Sequence, residues 1–239
     1  MASSSRQIVS NQRQLNPKLP ALVRRHLDTV HRKPAAAHNL AAFRLLMAEL
    51  DSRPRPLVLD SFCGTGHSTA CLAKRHPQHL VVGIDTSARR LARHPHEPAG
   101  NYLLLQAECE DLWQLLAREG LRADFHYLLY PNPWPKAGHL QRRVHAHASF
   151  PWLLELGAGA SPGRLELRSN WQLYVEEFGL AMHLAGHPGY IARVTARPAL
   201  SLFERKYRDS GHALWAFSGR IRGSSSGPGG ARDGTGFMG

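Results

Sequence analysis

Short apolar runs that end in an acid or a turn alternate along this chain with stretches of helical spacing. Residues 57–59 run into Asp60 and then Cys63-Gly64-Thr65-Gly66; residues 80–84 end at Asp85; residues 102–105 are followed by Glu108. Residues 125–130 are stopped by Pro131 and Pro133, residues 164–167 predict a fifth strand, and residues 190–195 and 213–221 predict two more. Between them, residues 39–50 carry Leu40, Phe43, Leu46, Met47 and Leu50 at helical spacing. Residues 68–75, 111–118, 144–156 and 171–184 also read as helices, with Pro151 kinking or restarting the third of these. Fully apolar strands alternating with helices belong to a parallel sheet covered on both faces. The pattern therefore predicts a doubly wound α/β domain with a mostly parallel, seven-stranded sheet over residues 34–222.

The ends read differently. The first acidic residue is Asp28, so residues 1–33 are basic and Ser-containing, and Pro17 and Pro20 interrupt any amphipathic period. We read them as a flexible basic arm, with an organelle transit peptide as the weaker reading. Residues 223–239 are dominated by Gly and Ser and are expected to be a disordered tail. There is no internal repeat.

Charge adds a partner class. Thirty Lys and Arg face 18 Asp and Glu, a formal charge of +12. Such a surplus favours a polyanion, because cationic side chains release counterions from a phosphate backbone. No apolar run approaches the ~20 residues needed to cross a bilayer. The three cysteines, Cys63, Cys71 and Cys109, form no C-x-x-C pair, which argues against a disulfide scaffold or a cysteine zinc site and for a reducing, cytoplasmic setting. His139, His145 and His147 have no carboxylate or Cys near them in sequence and read as part of a basic helix rather than as metal ligands. No metal is expected.

In an open α/β sheet the ligand sits at the carboxyl ends of the strands, and three of those ends carry Asp60, Asp85 and Glu108. An acid ending the second strand takes both hydroxyls of a ribose, although Asp85 alone would equally serve as a helix N-cap. The turn from Asp60 to Gly66 resembles motif I of the class I S-adenosylmethionine methyltransferases. Phe62 stands where that motif has its first glycine, so its ring either crowds the cofactor or the loop bows outward.

After the fourth strand comes Tyr130-Pro131-Asn132-Pro133-Trp134-Pro135-Lys136, then His139, Arg142 and Arg143. Two prolines around a tryptophan make either a stiff packing turn or a rigid loop beside a reacting group. Together with Ser169-Asn170, Tyr174, the Ser201-Leu202-Phe203-Glu204 stretch and Gly211-His212, this loop resembles the bacterial tRNA (guanine-N7)-methyltransferases over roughly residues 57–217. The resemblance implies a Rossmann-like class I methyltransferase that uses S-adenosyl-L-methionine on N7 of a variable-loop guanosine in tRNA. By it, Asp60, Gly64, Gly66, Asp85, Glu108 and Asn132 would bind cofactor, and Lys136, Asn170, Ser201 and Glu204 would face the guanosine. Asn132 takes the catalytic position and Trp134 is the candidate for stacking a base.

The departures lie on the substrate side: the family's loop Asp is Asn132, and its Thr-Asp is Ser169-Asn170. Guanine N7 has a free lone pair and no proton, so its methylation needs alignment and electrostatics, not a general base. An amide in place of a carboxylate gives up charge stabilisation of the cationic ring, a loss of ~2–4 kcal/mol. Two alternatives follow: an RNA-binding relative with weak or no catalysis, and an amino-directed nucleic-acid methyltransferase, whose Asn-Pro-Pro-aromatic loop differs from Asn-Pro-Trp-Pro by one position.

Overall fold

Seven strands form one sheet in the order β3-β2-β1-β4-β5-β7-β6 in a computed structural model that describes residues 5–29, 31, 33–95 and 100–223. The strands are β1 (Leu57–Ser61), β2 (Leu80–Asp85), β3 (Tyr102–Gln106), β4 (Ala123–Leu129), β5 (Gly163–Ser169), β6 (Gly189–Arg193) and β7 (Trp215–Ile221). The first five are parallel; β7 runs antiparallel between β5 and β6. Both β1 and β2 are buried along their whole length, which is why they read as unbroken apolar runs. The strand order reverses between β1 and β4, so a crevice opens at their carboxyl ends.

The helices are α1 (Leu19–Asp28), α2 (Ala37–Ser52), α3 (His67–Arg75), α4 (Ala88–Leu91), α5 (Cys109–Arg118), α6 (Phe150–Gly157), α7 (Gln172–Leu184) and α8 (Leu202–Asp209). The larger core cluster joins Leu112, Trp113 and Leu116 of α5 to Phe150 and Phe178; a second gathers Val58, Leu72, Val81 and Leu129. Inside the first, Trp113 Nε1–H donates to Ser61 Oγ at 2.9 Å, and Ser61 Oγ lies 2.8 Å from His126 Nε2. Burial lowers the His126 imidazole to about 3, so it stays neutral.

Part of the segment read as a flexible arm builds the domain. Leu19, Leu22 and Val23 of α1 are core residues, and Pro20 stands in the first turn, where its missing N–H costs nothing. Pro20 therefore starts a helix; it does not interrupt one. The basic helix expected around His139, His145 and His147 is instead two 3₁₀ turns, Ala137–Arg142 and Val144–Ala146. Pro151 sits in the first turn of α6, so the chain restarts there. The Gly/Ser-rich tail, Gly223 apart, lies outside the described residues. Among the described residues no helix is long and apolar enough to cross a membrane, and no group of His, Cys, Asp and Glu has the arrangement of a metal site.

Candidate active site

The sheet order sets five of the singled-out residues side by side. Glu108, Asp85, Asp60, Asn132 and Asn170 lie at or just past the carboxyl ends of β3, β2, β1, β4 and β5, so they line one edge in that sequence. The glycine-rich turn rises from β1. Gly64 and Gly66 have φ of 65° and 75°, and a Cβ on Gly66 would meet Leu104 Cδ1 at 2.7 Å and His94 Nδ1 at 3.0 Å. Only glycine satisfies both the left-handed backbone and that closeness. Phe62 also adopts a positive φ, 64°, at a steric cost of about 1–3 kcal/mol. In return, its ring packs edge-on against Trp113 at 5.8 Å, and its N–H donates to Cys109 Sγ at 3.3 Å. The ring is anchored on the core side of the loop.

Two acids at this edge are buried and hydrogen-bonded within the turn. Asp85 is 2% exposed; its Oδ2 accepts the Gly64 N–H at 2.9 Å and its Oδ1 the Ser87 N–H at 2.8 Å. A carboxylate has about four lone-pair sites. The two amides leave two, the number a vicinal diol requires. One of these is taken by Arg90, whose Nη2 donates to Oδ1 at 2.7 Å. Asp60 is fully buried, with Oδ2 accepting from Ser68 Oγ at 2.6 Å and Thr69 Oγ1 at 2.8 Å. Its Oδ1 is buried with no partner among the described residues. Burial pushes the Asp60 carboxyl up to about 6, against the pull of the two hydroxyls. Burial also acts upward on Glu108, but hydrogen bonds from Asn39 and His38 hold its carboxyl below the ordinary value; His38 Nε2 is 2.7 Å away. A diol acceptor, an orphaned buried oxygen and a glycine turn that admits no Cβ fit a nucleoside-type cofactor.

The neighbouring loop carries Asn132, which is exposed and accepts the Trp134 N–H on Oδ1 at 3.2 Å. Tyr130 and Trp134 both have positive φ, 59° and 46°, so this loop is strained at two non-glycine positions and needs support. Arg143 supplies it. This arginine is 0% exposed; its Nε and Nη2 donate to the Trp134 carbonyl at 3.3 and 3.1 Å, and its Nη1 pairs with Glu177 of α7. Glu177 Oε1 in turn accepts Gln12 Nε2 at 2.6 Å and the Asn16 N–H at 2.8 Å. Burial raises the Glu177 carboxyl, but His145, the Asn16 amide and Arg143 together bring it down to about 2. Nearby, Ser10 Oγ donates to the Pro135 carbonyl and the Ala137 N–H donates to Asn11 Oδ1. The N-terminal segment thus lies as a strap along the loop.

Asn170 donates from Nδ2 to His212 Nδ1 at 3.1 Å, while His212 Nε2 faces the Ser5 carbonyl at 3.0 Å and must carry the proton there. The amide at 170 is thereby matched to the histidine's tautomer. Ser201 Oγ caps α8 by accepting the Glu204 N–H at 3.1 Å. Glu204 itself is 0% exposed, with Oε2 bound to Arg168 Nη1 at 2.7 Å and Oε1 to Arg208 Nη2 at 3.0 Å. Read from sequence as guanosine-facing, Ser201 and Glu204 are here engaged in building α8 and its junction with β5. That junction brings Phe203 beside the glycine turn: a Cβ on Gly64 would lie 3.8 Å from its ring. Lys136 is exposed at the mouth of the loop. Beside it runs a groove of about 1110 Å3 lined by Lys18 at the N-cap of α1, by Arg25 and His26 within it, and by Trp134, His139 and Arg142. Arg142 lies 4.7 Å above the Trp134 ring, occupying a face on which a base was expected to stack.

Arg143, read from sequence with Arg142 as part of a basic run facing RNA, is instead fully buried as the loop's support; its pairing with Glu177, that of Arg90 with Asp85, and the strap were not read from the sequence. The spacing of Leu19, Leu22 and Val23 around Pro20 was the available signal for the segment that ends the strap; the ion pairs left none.

Comparison with known proteins gives the class of this fold and edge as a methyltransferase. A family model described as "Putative methyltransferase" matches residues 54–206. A solved 16S rRNA methyltransferase, KamB, shares the fold with a TM-score of 0.53 at 21% identity, covering 81% of this chain and 98% of its own. The "tRNA (guanine-N(7)-)-methyltransferase" of Nitrosospira multiformis is 32% identical over 183 residues, 71% of this chain and 76% of that protein. The protein of the same name from Sodalis glossinidius is 29% identical over 204 residues, 79% of this chain and 81% of its own. The chain belongs to the tRNA (guanine-N7)-methyltransferase family.

Proposed function

We propose that this protein transfers a methyl group from S-adenosylmethionine to N7 of a guanosine in tRNA, the variable-loop guanosine, in the cytoplasm. The observation that carries this reading is the single sheet edge on which a diol-accepting Asp85, the orphaned Asp60 oxygen and the Asn132 loop stand in adjacent register. When bound, the cofactor supplies an already activated sulfonium methyl group. Asp85 takes the ribose hydroxyls and Asp60 offers a buried acceptor behind the glycine turn. Glu108, held ionised by His38 and Asn39, closes the far side of the cofactor site.

On the substrate side the residues align a purine and leave its proton inventory unchanged, because N7 bears none. Asn132 directs its carbonyl dipole from a loop that Arg143 holds in shape, and a carbonyl oxygen near the ring favours the positive charge that develops there. Asn170 and the α8 N-terminus, shaped by Ser201 and Glu204, form the opposite wall. Lys136 and the groove cations Lys18, Arg25 and Arg142 take the RNA backbone.

A tRNA transcript in which 7-deazaguanosine replaces guanosine tests the atom assigned. The replacement puts carbon where N7 was. Methyl transfer to the normal transcript and none to the deaza transcript is the expected result; equal transfer to both would overturn N7 as the acceptor.

A further inference from the structure

Asp85 has two lone-pair sites left after the Gly64 and Ser87 amides are counted, and Arg90 fills one of them. The backbone of Arg90 is pinned: it lies in the four-residue α4, with its N–H donated to Ser87 Oγ at 3.3 Å. Its side chain folds back over the carboxylate while remaining 45% exposed, against 2% for Asp85. One partner is fixed and sunk in the site; the other is a long side chain with open solvent beside it.

We infer that Arg90 is an intramolecular competitor for the ribose acid: its guanidinium holds a lone-pair site of Asp85 that the second hydroxyl of a ribose needs and must leave for both hydroxyls to bind. The inference rests on the cofactor reading above. The amides of Gly64 and Ser87 belong to the loop and the helix cap and stay in place, so they are common to both states. Only the guanidinium exchanges. Its departure costs what a half-exposed ion pair is worth, which corresponds to about a two- to five-fold weakening of cofactor binding. A ligand with one ribose hydroxyl needs one acceptor site, and one is already open beside Arg90. Such a ligand does not compete with the arginine. Arg90 therefore acts as a specificity element whose penalty falls on a full diol.

Calorimetric titration of the full chain and of Arg90→Ala with S-adenosylhomocysteine and with its 2′-deoxy counterpart tests this. The expected result is about two- to five-fold tighter binding of the ribose form by Arg90→Ala, with no gain for the deoxy form. An equal gain for both ligands would overturn the proposal, since Arg90 would then act through general charge. Unchanged or weaker binding of the ribose form by the variant would also overturn it, while leaving the cofactor reading intact. Failure of the unaltered protein to bind either ligand would remove the cofactor reading and the proposal with it.

Discussion

Glu177→Ala isolates the buried pair beneath the Asn132 loop. Both partners are 0% exposed, so the substitution strands the Arg143 guanidinium in a fully buried site and leaves the Asn16 N–H without its acceptor. Removing one member of a buried pair costs about 3–5 kcal/mol, a large part of the 5–15 kcal/mol that holds a typical domain. Arg143→Met alone leaves the buried carboxylate without its guanidinium, held by His145, Gln12 and the Asn16 N–H, at a similar cost. The double variant removes both charges, and with them the part of each loss that comes from a stranded charge, while the Asn16 N–H and Gln12 Nε2 still lack their acceptor. Urea unfolding of the four proteins, followed by intrinsic tryptophan fluorescence, gives the cycle. Each single variant is expected to lose about 3–5 kcal/mol and the double variant to lose clearly less than the sum of the two. Methyl transfer should not recover: without Arg143 the Trp134 carbonyl has lost both of its guanidinium donors, and the loop loses the support that its two positive-φ residues require. A single-variant cost below about 1 kcal/mol would refute the claim that this pair is a buried clamp. Full transfer by the refolded double variant would refute its role in holding the loop.

Asn132→Asp keeps the acceptor for the Trp134 N–H and adds a charge beside the developing cation, so single-turnover transfer should rise by up to about 10²-fold; an unchanged or lower rate would count against electrostatic assistance at this position. Lys136→Ala should lower tRNA affinity and reduce the slope of log affinity against log salt by about 1; binding measured across a salt series checks this, and an identical slope would exclude a phosphate contact. Acid stability should separate His126 from Asp60. The folded imidazole stays unprotonated to about pH 3, whereas an unfolded one protonates near 6.5. Its contribution is therefore complete above pH 6.5 and lost as pH falls below it, by about 2 kcal/mol at pH 5. Asp60, raised to about 6, opposes this trend, because its buried charge becomes less costly as it protonates. Urea midpoints at pH 7 and 5 should show His126→Gln gaining about 2 kcal/mol relative to the unaltered chain on acidification; parallel changes in the two proteins would exclude a buried neutral His126.

The central sheet was legible because its strands are buried on both faces, so β1 and β2 leave unbroken apolar runs that end at their acids. Parallel connectivity then put Asp60, Asp85 and Glu108 on one edge before any coordinates were needed. The substrate side was less legible. Whether Phe62 faces the cofactor depended on its rotation about a positive φ, which only the packing of Trp113 decides. Glu204 carries a motif position on α8, yet its burial follows from Arg168 on β5, 36 residues away. Gln12 and Glu177 are 165 residues apart and meet only because α1 docks on α7. A proline read as a breaker hid that docking, because Pro20 acts differently at the start of a helix than within one.

The most direct test of the account is methyl transfer from labelled S-adenosylmethionine to unmodified tRNA, followed by digestion and mass-spectrometric identification of the labelled nucleoside. The account predicts label in N7-methylguanosine, carried by a loop with an amide at position 132. Label in a methylated exocyclic amine, or no transfer beside an active control enzyme of the family, would contradict it.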